Sequence, residues 1–215
     1  MTVLRFRFTR STLLLLALAL MLAAGSHDRG HAASTEPVQQ AIDFSFEPVD
    51  RQAILALVDE HRRDADASWR VQVSDAIYDE AMNAGVDPLL VAAIVARESS
   101  FRSRVVSHAG AVGLMQLRPF VARELAKQSN LEWQGSETLH RDELNVRLGV
   151  TYYRELVDRF DGDAVLALAA YHRGPTRLQR QLDRGTFSGS RYATRVLELY
   201  ATLSAGRAEF LTRQG

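Results

Sequence analysis

From Val49 onward the apolar residues recur at three- and four-residue intervals, and no convincing strand alternation interrupts them. A chain with that period must pack helix on helix, so the expected fold class is all-α. Asp50 is the expected cap of a helix bearing Ile54, Leu57 and Val58, and the charged residues from Asp59 to Asp66 read as a solvated face. Ser74 is the expected cap of the next helix, which carries Ile77, Ala81 and Met82 and closes at Asn83-Ala84-Gly85. Asp87-Pro88 supplies an N-cap and a first helical residue for the apolar run that follows. Further helices are expected over Pro119 to Gln128, Asp142 to Phe160, Asp163 to Arg173, Arg177 to Asp183 and Arg191 to about Leu211. Gly110 and Gly113 mark a loop, Gly174-Pro175 a stop and Gly185 to Ser190 a turn.

The first 33 residues read differently. Arg5, Arg7 and Arg10 precede an apolar run from Leu13 to Ala24, followed by small and polar residues, the order of a secretory leader. Cleavage after Gly25, Ala32 or Ala33 fits equally. The run is shorter than the roughly 20 residues of a spanning helix, so export is expected, with an uncleaved anchor as the alternative. Residues 34–48 are polar, hold two prolines and read as a linker. The chain has no cysteine, which excludes a lipid-bearing cysteine, a disulfide framework and a thiolate nucleophile. Its 26 basic and 26 acidic side chains cancel, so no net field recruits nucleic acid. The histidines are scattered and form no His-Glu-x-x-His word; no metal and no cofactor is expected.

The stretch Leu89-Leu-Val-Ala-Ala-Ile-Val-Ala-Arg-Glu-Ser-Ser-Phe101 poses the chemical question, because it places a carboxylate beside a core. Glu98 shares a helical face with Val95, Ile94 and Val91. It also lies in the last turn, where unpaired carbonyls carry the negative end of the helix dipole. Burial and dipole both favour the neutral acid and move its pKa toward the roughly 6 to 7 that suits a proton donor. The bland alternative is a carboxylate paired with Arg102 or Arg104.

Three phrases bear on that choice: Glu98-Ser99-Ser100-Phe101, then Gly110-Ala-Val-Gly-Leu-Met-Gln-Leu117, then Ala169-Ala-Tyr-His-Arg-Gly-Pro175. With Asn145-Val-Arg-Leu-Gly-Val-Thr-Tyr-Tyr153 and Tyr192-Ala-Thr-Arg-Val-Leu197, they stand in the order and spacing of the soluble lytic transglycosylase family, whose catalytic domain is similar to goose-type lysozyme. The resemblance covers about Ser74 to Tyr200. It implies a lysozyme-like helical domain over 74–205 that cleaves the MurNAc-GlcNAc bond of peptidoglycan, preceded by a leader (1–33) and a linker with a helical extension (34–73), and followed by a tail (206–215). Such an enzyme needs one acid, because the 6-hydroxyl of the sugar attacks in place of water.

The resemblance implies Glu98 as the catalytic acid and a substrate-binding set of Ser99, Ser100, Met115, Gln116, Tyr171 and His172. Ser99 and Ser100 either orient the acid or cap its helix. Met115 packs against the sugar or the acid, the Gln116 amide bonds a sugar group, and Gly110 and Gly113 let the loop approach the ligand or simply turn the chain. The Tyr171 hydroxyl points at Glu98 by resemblance; by pattern it is a core aromatic. His172 stands where the family writes asparagine, and Arg118 where methionine is more usual. No second carboxylate can be assigned, since Glu124, Asp142 and Glu143 read as solvated. A hydrolase on the same scaffold and a weakly catalytic glycan-binding module are the alternatives, and the helical segment before Ser74 leaves transient docking to a cell-envelope assembly open.

Overall fold

An apolar run without a polar face has to be surrounded, and Leu89 to Ala96 is: all eight residues are 7% exposed or less. The computed structural model describes residues 47–214; the expected leader, and the linker up to Phe46, lie outside them. The run forms α3, Pro88–Ser99, in the order α1 Glu47–His61, α2 Ala67–Ala84, α3, α4 Pro119–Gln128, a 3-10 helix Gly135–His140, α5 Asp142–Arg159, α6 Ala164–Arg173, α7 Pro175–Asp183 and α8 Arg191–Gln214. Helix α3 packs against α1, α2 and α8, while α5 joins α2 to α6, and α6 reaches α7 and α8. The described residues form an all-α fold whose extended pairing is limited to two isolated bridges, Val106 with Val112 and Val112 with Leu117. None of their helices is long and apolar enough to cross a membrane.

The α3 boundaries follow their expected chemistry. The Asp87 carboxylate accepts the Leu89 N–H at 2.9 Å and Pro88 occupies the first turn. Two other expected caps are corrected. Helix α1 begins at Glu47, and Asp50, inside it, is buried. Helix α2 is capped by Asp66, whose carboxylate accepts the Ser68 and Trp69 N–H groups, whereas Ser74 is buried within the helix and donates to the Arg70 carbonyl. A buried Ser can return its hydroxyl to the preceding turn, so the cap signal was ambiguous. The stretch Asp59 to Asp66 is also busier than a solvated face: Asp59 receives Arg70, and Arg62 donates to the Phe101 carbonyl at 2.9 Å. Asp142, likewise expected to be solvated, accepts from Trp69 Nε1 at 2.7 Å and Ser103 Oγ at 2.8 Å. The expected divisions at 73/74 and 205/206 fall inside α2 and α8.

Asp50 has a larger task than capping. Arg207 on α8 donates to both Asp50 oxygens at 2.8 Å and to Asp87 at 2.9 and 3.0 Å, while Tyr200 donates to Asp87 at 2.9 Å. One guanidinium thus ties α8 to α1 and to the start of α3. Burial nevertheless raises the Asp50 pKa, against the opposing pull of Arg207. Arg207→Ala is expected to cost about 3 kcal/mol, because it strands two carboxylates in a largely desolvated site; urea denaturation measures it, and a loss under about 1 kcal/mol, the scale of an exposed pair, would show the clamp to be dispensable.

Candidate active site

Glu98 ends α3 at the wall of a cleft of about 900 Å³. The helix stops at Ser99, and the next residue, Ser100, takes a left-handed conformation (φ 51°) with its N–H returned to the Ala96 carbonyl. Burial pushes the Glu98 carboxyl up to about 7, outweighing the pull of the Tyr192 hydroxyl and of Arg97. No arginine among the described residues forms an ion pair with it; Arg102, a candidate partner by sequence, donates to the Ser99 carbonyl instead. The bland reading of a paired surface carboxylate therefore does not describe Glu98.

The loop between α3 and α4 carries the Gly-Leu-Met-Gln phrase, and α5 holds that loop from beneath. Buried Asn145 accepts the Met115 N–H at 2.8 Å and donates to the Val112 and Leu139 carbonyls, each at 2.9 Å. Gly113 (φ 81°) lies so close that a Cβ there would stand 2.1 Å from the Asn145 amide nitrogen. One turn further along α5, a Cβ on Gly149 would meet the Met115 sulfur at 2.3 Å. The Asn145–Gly149 spacing thus has a mechanical meaning: asparagine grips the loop backbone and glycine admits the methionine. From α6, the Tyr171 hydroxyl donates to the Met115 carbonyl at 2.8 Å, so one loop residue is held from two helices.

The sequence-predicted set separates under this geometry. Glu98, Gln116, Tyr171 and His172 line one cleft. Met115 does not: it is fully buried against Gly149 and cannot meet a ligand through its side chain. Ser99 is buried and returns its hydroxyl to the Val95 carbonyl in the preceding turn, while Ser100 is the helix C-cap; neither lines the cleft. Gly113 answers to Asn145 rather than to a sugar. Gln116 spends its amide nitrogen inside the loop, on the Val105 carbonyl at 3.1 Å and the Gly113 carbonyl at 2.9 Å, which leaves its side-chain oxygen to accept from a ligand. The Tyr171 hydroxyl gives its proton to Met115, yet it lies near enough to Glu98 that the carboxylate charge, added to burial, raises its pKa.

Tyr192 is the residue that sequence reasoning missed. It was legible as part of the closing phrase, but a helical tyrosine carries no mark of which cleft it faces. Its buried hydroxyl has no partner in full hydrogen-bond geometry among the described residues, yet it and the Glu98 carboxyl are close enough to shift one another. Burial, with the Glu98 charge, lifts its pKa well above the usual tyrosine value, so it stays a donor. His172 stacks on Tyr192 with centroids 4.5 Å apart and planes 8° from parallel. Burial, Arg173 and Arg97 all lower the His172 pKa, which favours the neutral imidazole. Glu124 is exposed, as its setting suggested, but like Glu155 it stands on the cleft wall.

The likeness to known proteins coincides with this site. The family model for the transglycosylase SLT domain matches residues 75–192, a span reaching from α2 to Tyr192. The soluble lytic murein transglycosylase of Salmonella typhimurium is 33% identical over 91 residues, covering 42% of this chain and 14% of that protein. The transglycosylase of Enterobacteria phage PRD1 is 40% identical over 89 residues, covering 41% of this chain and 30% of that one. An inactive mutant of the lytic transglycosylase Slt from Pseudomonas aeruginosa superposes with a TM-score of 0.55 at 28% identity, over 61% of this chain and 24% of that one. The chain spans less than a third of the length of each of these three relatives. With the family model covering more than half of its residues, the chain belongs to the transglycosylase SLT domain family.

Proposed function

We propose that this chain is a peptidoglycan lytic transglycosylase that cuts the MurNAc-GlcNAc β-1,4 bond without water, with Glu98 as acid and then base. The observation that carries the reading is a carboxyl outside any ion pair among the described residues, at the cleft wall, where burial pushes it up to about 7 and a group can both release and recover a proton at neutral pH. The Glu98 proton passes to the glycosidic oxygen as the C1–O bond breaks. The resulting carboxylate removes the proton of the MurNAc 6-hydroxyl, whose oxygen closes on C1 to form the 1,6-anhydro ring. The acid is regenerated and water is not consumed. The attacking hydroxyl is part of the substrate, so little entropy is lost in bringing it to the reacting carbon. Tyr192, held protonated, is suited to steady the carboxylate formed midway.

Mass analysis of digested murein tests the reading. Anhydro-MurNAc ends are the expected product; reducing ends would assign a hydrolase, and uncut strands would leave a binding module. We further propose export on the leader-like residues 1–33, peptidoglycan strands as the partner, and residues 74–205 as the catalytic segment, the span on which the family likeness centres.

A further inference from the structure

Two adjacent residues at the end of α6 both reach the start of α8. Arg173 donates to the Gln181 side-chain oxygen at 2.9 Å and to the Gly189 carbonyl at 3.3 Å, and its guanidinium lies over the Phe187 ring at 5.5 Å. It thereby holds the turn from which α8 leaves, where the Ser190 hydroxyl accepts the Ala193 N–H at 3.2 Å. His172 covers what that turn presents. Its ring lies on the Tyr192 ring with centroids 4.5 Å apart and planes 8° from parallel, within the range of the offset stack that aromatic pairs prefer. The two rings differ in exposure: Tyr192 is buried, whereas His172 is exposed on the cleft wall. His172 is the outer plate of the pair, and beneath it the Tyr192 hydroxyl and the Glu98 carboxyl shift one another.

A hydroxyl that serves a carboxylate has to be aimed. The Tyr192 hydroxyl has no partner in full hydrogen-bond geometry among the described residues, so the packing of its ring must set its direction. A phenol ring turns about two side-chain torsions, the second of them broad, and a flat partner on one face restrains both. An asparagine, the residue the family writes at 172, offers a small amide and no ring face. The charged and titratable groups that act on the Glu98, Tyr192 and His172 cluster are Arg97 on α3, Tyr153 on α5, and Tyr171 and Arg173 on α6. With burial, Arg173 and Arg97 favouring the neutral imidazole, what His172 brings to Tyr192 is a surface rather than a charge.

We infer that His172 is a positioning residue: its ring, stacked on Tyr192, holds the Tyr192 hydroxyl on the Glu98 carboxyl. The inference rests on the transglycosylase reading for the step it serves. That step is the midpoint of the reaction, when Glu98 has given up its proton and a donor held beside it stabilises the carboxylate. Strand binding makes no such demand, so the effect belongs in kcat rather than KM. The wild type is compared with two full-length variants. His172→Phe keeps a flat aromatic face and removes both ring nitrogens; His172→Asn keeps hydrogen-bonding capacity and removes the face. In His172→Asn kcat is expected to fall about tenfold, the scale of a weakened hydrogen bond to a charged group, with KM within about twofold. His172→Phe is expected to retain most of kcat. The titration of Glu98, followed by carbon NMR of the glutamate carboxyls with Glu98→Gln identifying the signal, reads the contact without substrate. The Tyr192 hydroxyl favours the carboxylate, so the Glu98 midpoint is expected at higher pH in His172→Asn and at its wild-type position in His172→Phe. An unmoved midpoint in His172→Asn overturns the inference. So do equal losses in both variants, which would assign the task to the ring nitrogens, and a raised KM with kcat unchanged, which would assign His172 to the ligand. If the wild type cuts no strand, the catalytic reading fails and the titration alone decides the stack: a midpoint moved by asparagine but not by phenylalanine supports it, and any other pattern refutes it.

Discussion

Glu98→Gln is expected to lower the rate of strand cleavage by at least about a hundredfold, the contribution of a positioned general acid, while strand binding persists. The amide matches the carboxyl in size and polarity but can neither deliver a proton to the leaving oxygen nor recover one from the 6-hydroxyl. Both halves of the reaction therefore fail together. Turnover above a tenth of wild type would remove Glu98 from the chemistry. The pH dependence supplies a second readout, because the acid must enter protonated: wild-type kcat/KM is expected to fall as pH rises through about 7, the value to which burial pushes Glu98.

Stability should carry the same signature without any substrate. An unfolded glutamate titrates near the ordinary 4.5, while the folded Glu98 holds its proton to about 7. Between those values the native state binds more protons than the unfolded state, so the contribution of Glu98 to stability is present at acid pH and is lost as pH rises through that window. Glu98→Gln does not titrate. Its stability relative to wild type should accordingly rise from pH 4.5 to 7 and level off above, and a flat difference would show that the carboxyl is not held neutral by burial.

How far the sequence could be read depends on whether each signal was local. The α3 run announces itself: eight apolar residues between an Asp-Pro cap and a carboxylate admit one central helix, and the proton-donor character of Glu98 follows from its place in the last turn. The caps at Asp50 and Ser74 failed for the opposite reason. Both residue types commonly cap helices, but their use here depends on Arg207, which lies far along the chain, and on the Arg70 carbonyl in the preceding turn. The same limit divides the candidate site. Tyr171 and His172 could be assigned to the cleft by resemblance, whereas Met115 and Ser99 share the same phrases as ligand-facing residues and are buried beneath them. A motif records which residues must be near the chemistry, not which of them touch it. Tyr192, stacked on His172 and set against Glu98, becomes visible only when α8 is folded back beside α6.

Asn145 shows what such a supporting residue is worth, and Asn145→Asp is expected to damage both stability and turnover. The amide donates to two buried carbonyls and accepts from the Met115 N–H. A carboxylate keeps only the acceptor role, and it sets negative charge against the Val112 and Leu139 oxygens, 2.9 Å from the nitrogen it replaces. The Val112 oxygen keeps the Leu117 N–H, but the loss of both amide donor bonds at buried carbonyls, together with a desolvated charge, is expected to cost about 3 kcal/mol or more. The loss should ease at acid pH, since the introduced carboxyl, raised by burial above the ordinary value of about 3.9, recovers one donor when protonated. Turnover should fall as well, even at temperatures where the variant remains folded. The Met115 carbonyl that Asn145 holds in register also receives the Tyr171 hydroxyl, so a shifted loop moves Tyr171 and Gln116 relative to Glu98, and a displacement near 1 Å at a reacting centre costs about a hundredfold. Thermal melts against pH and single-turnover cleavage measure the two effects separately. A variant with wild-type melting and wild-type turnover would show that the loop finds its position without α5, and the mechanical reading of the Asn145–Gly149 spacing would fall with it.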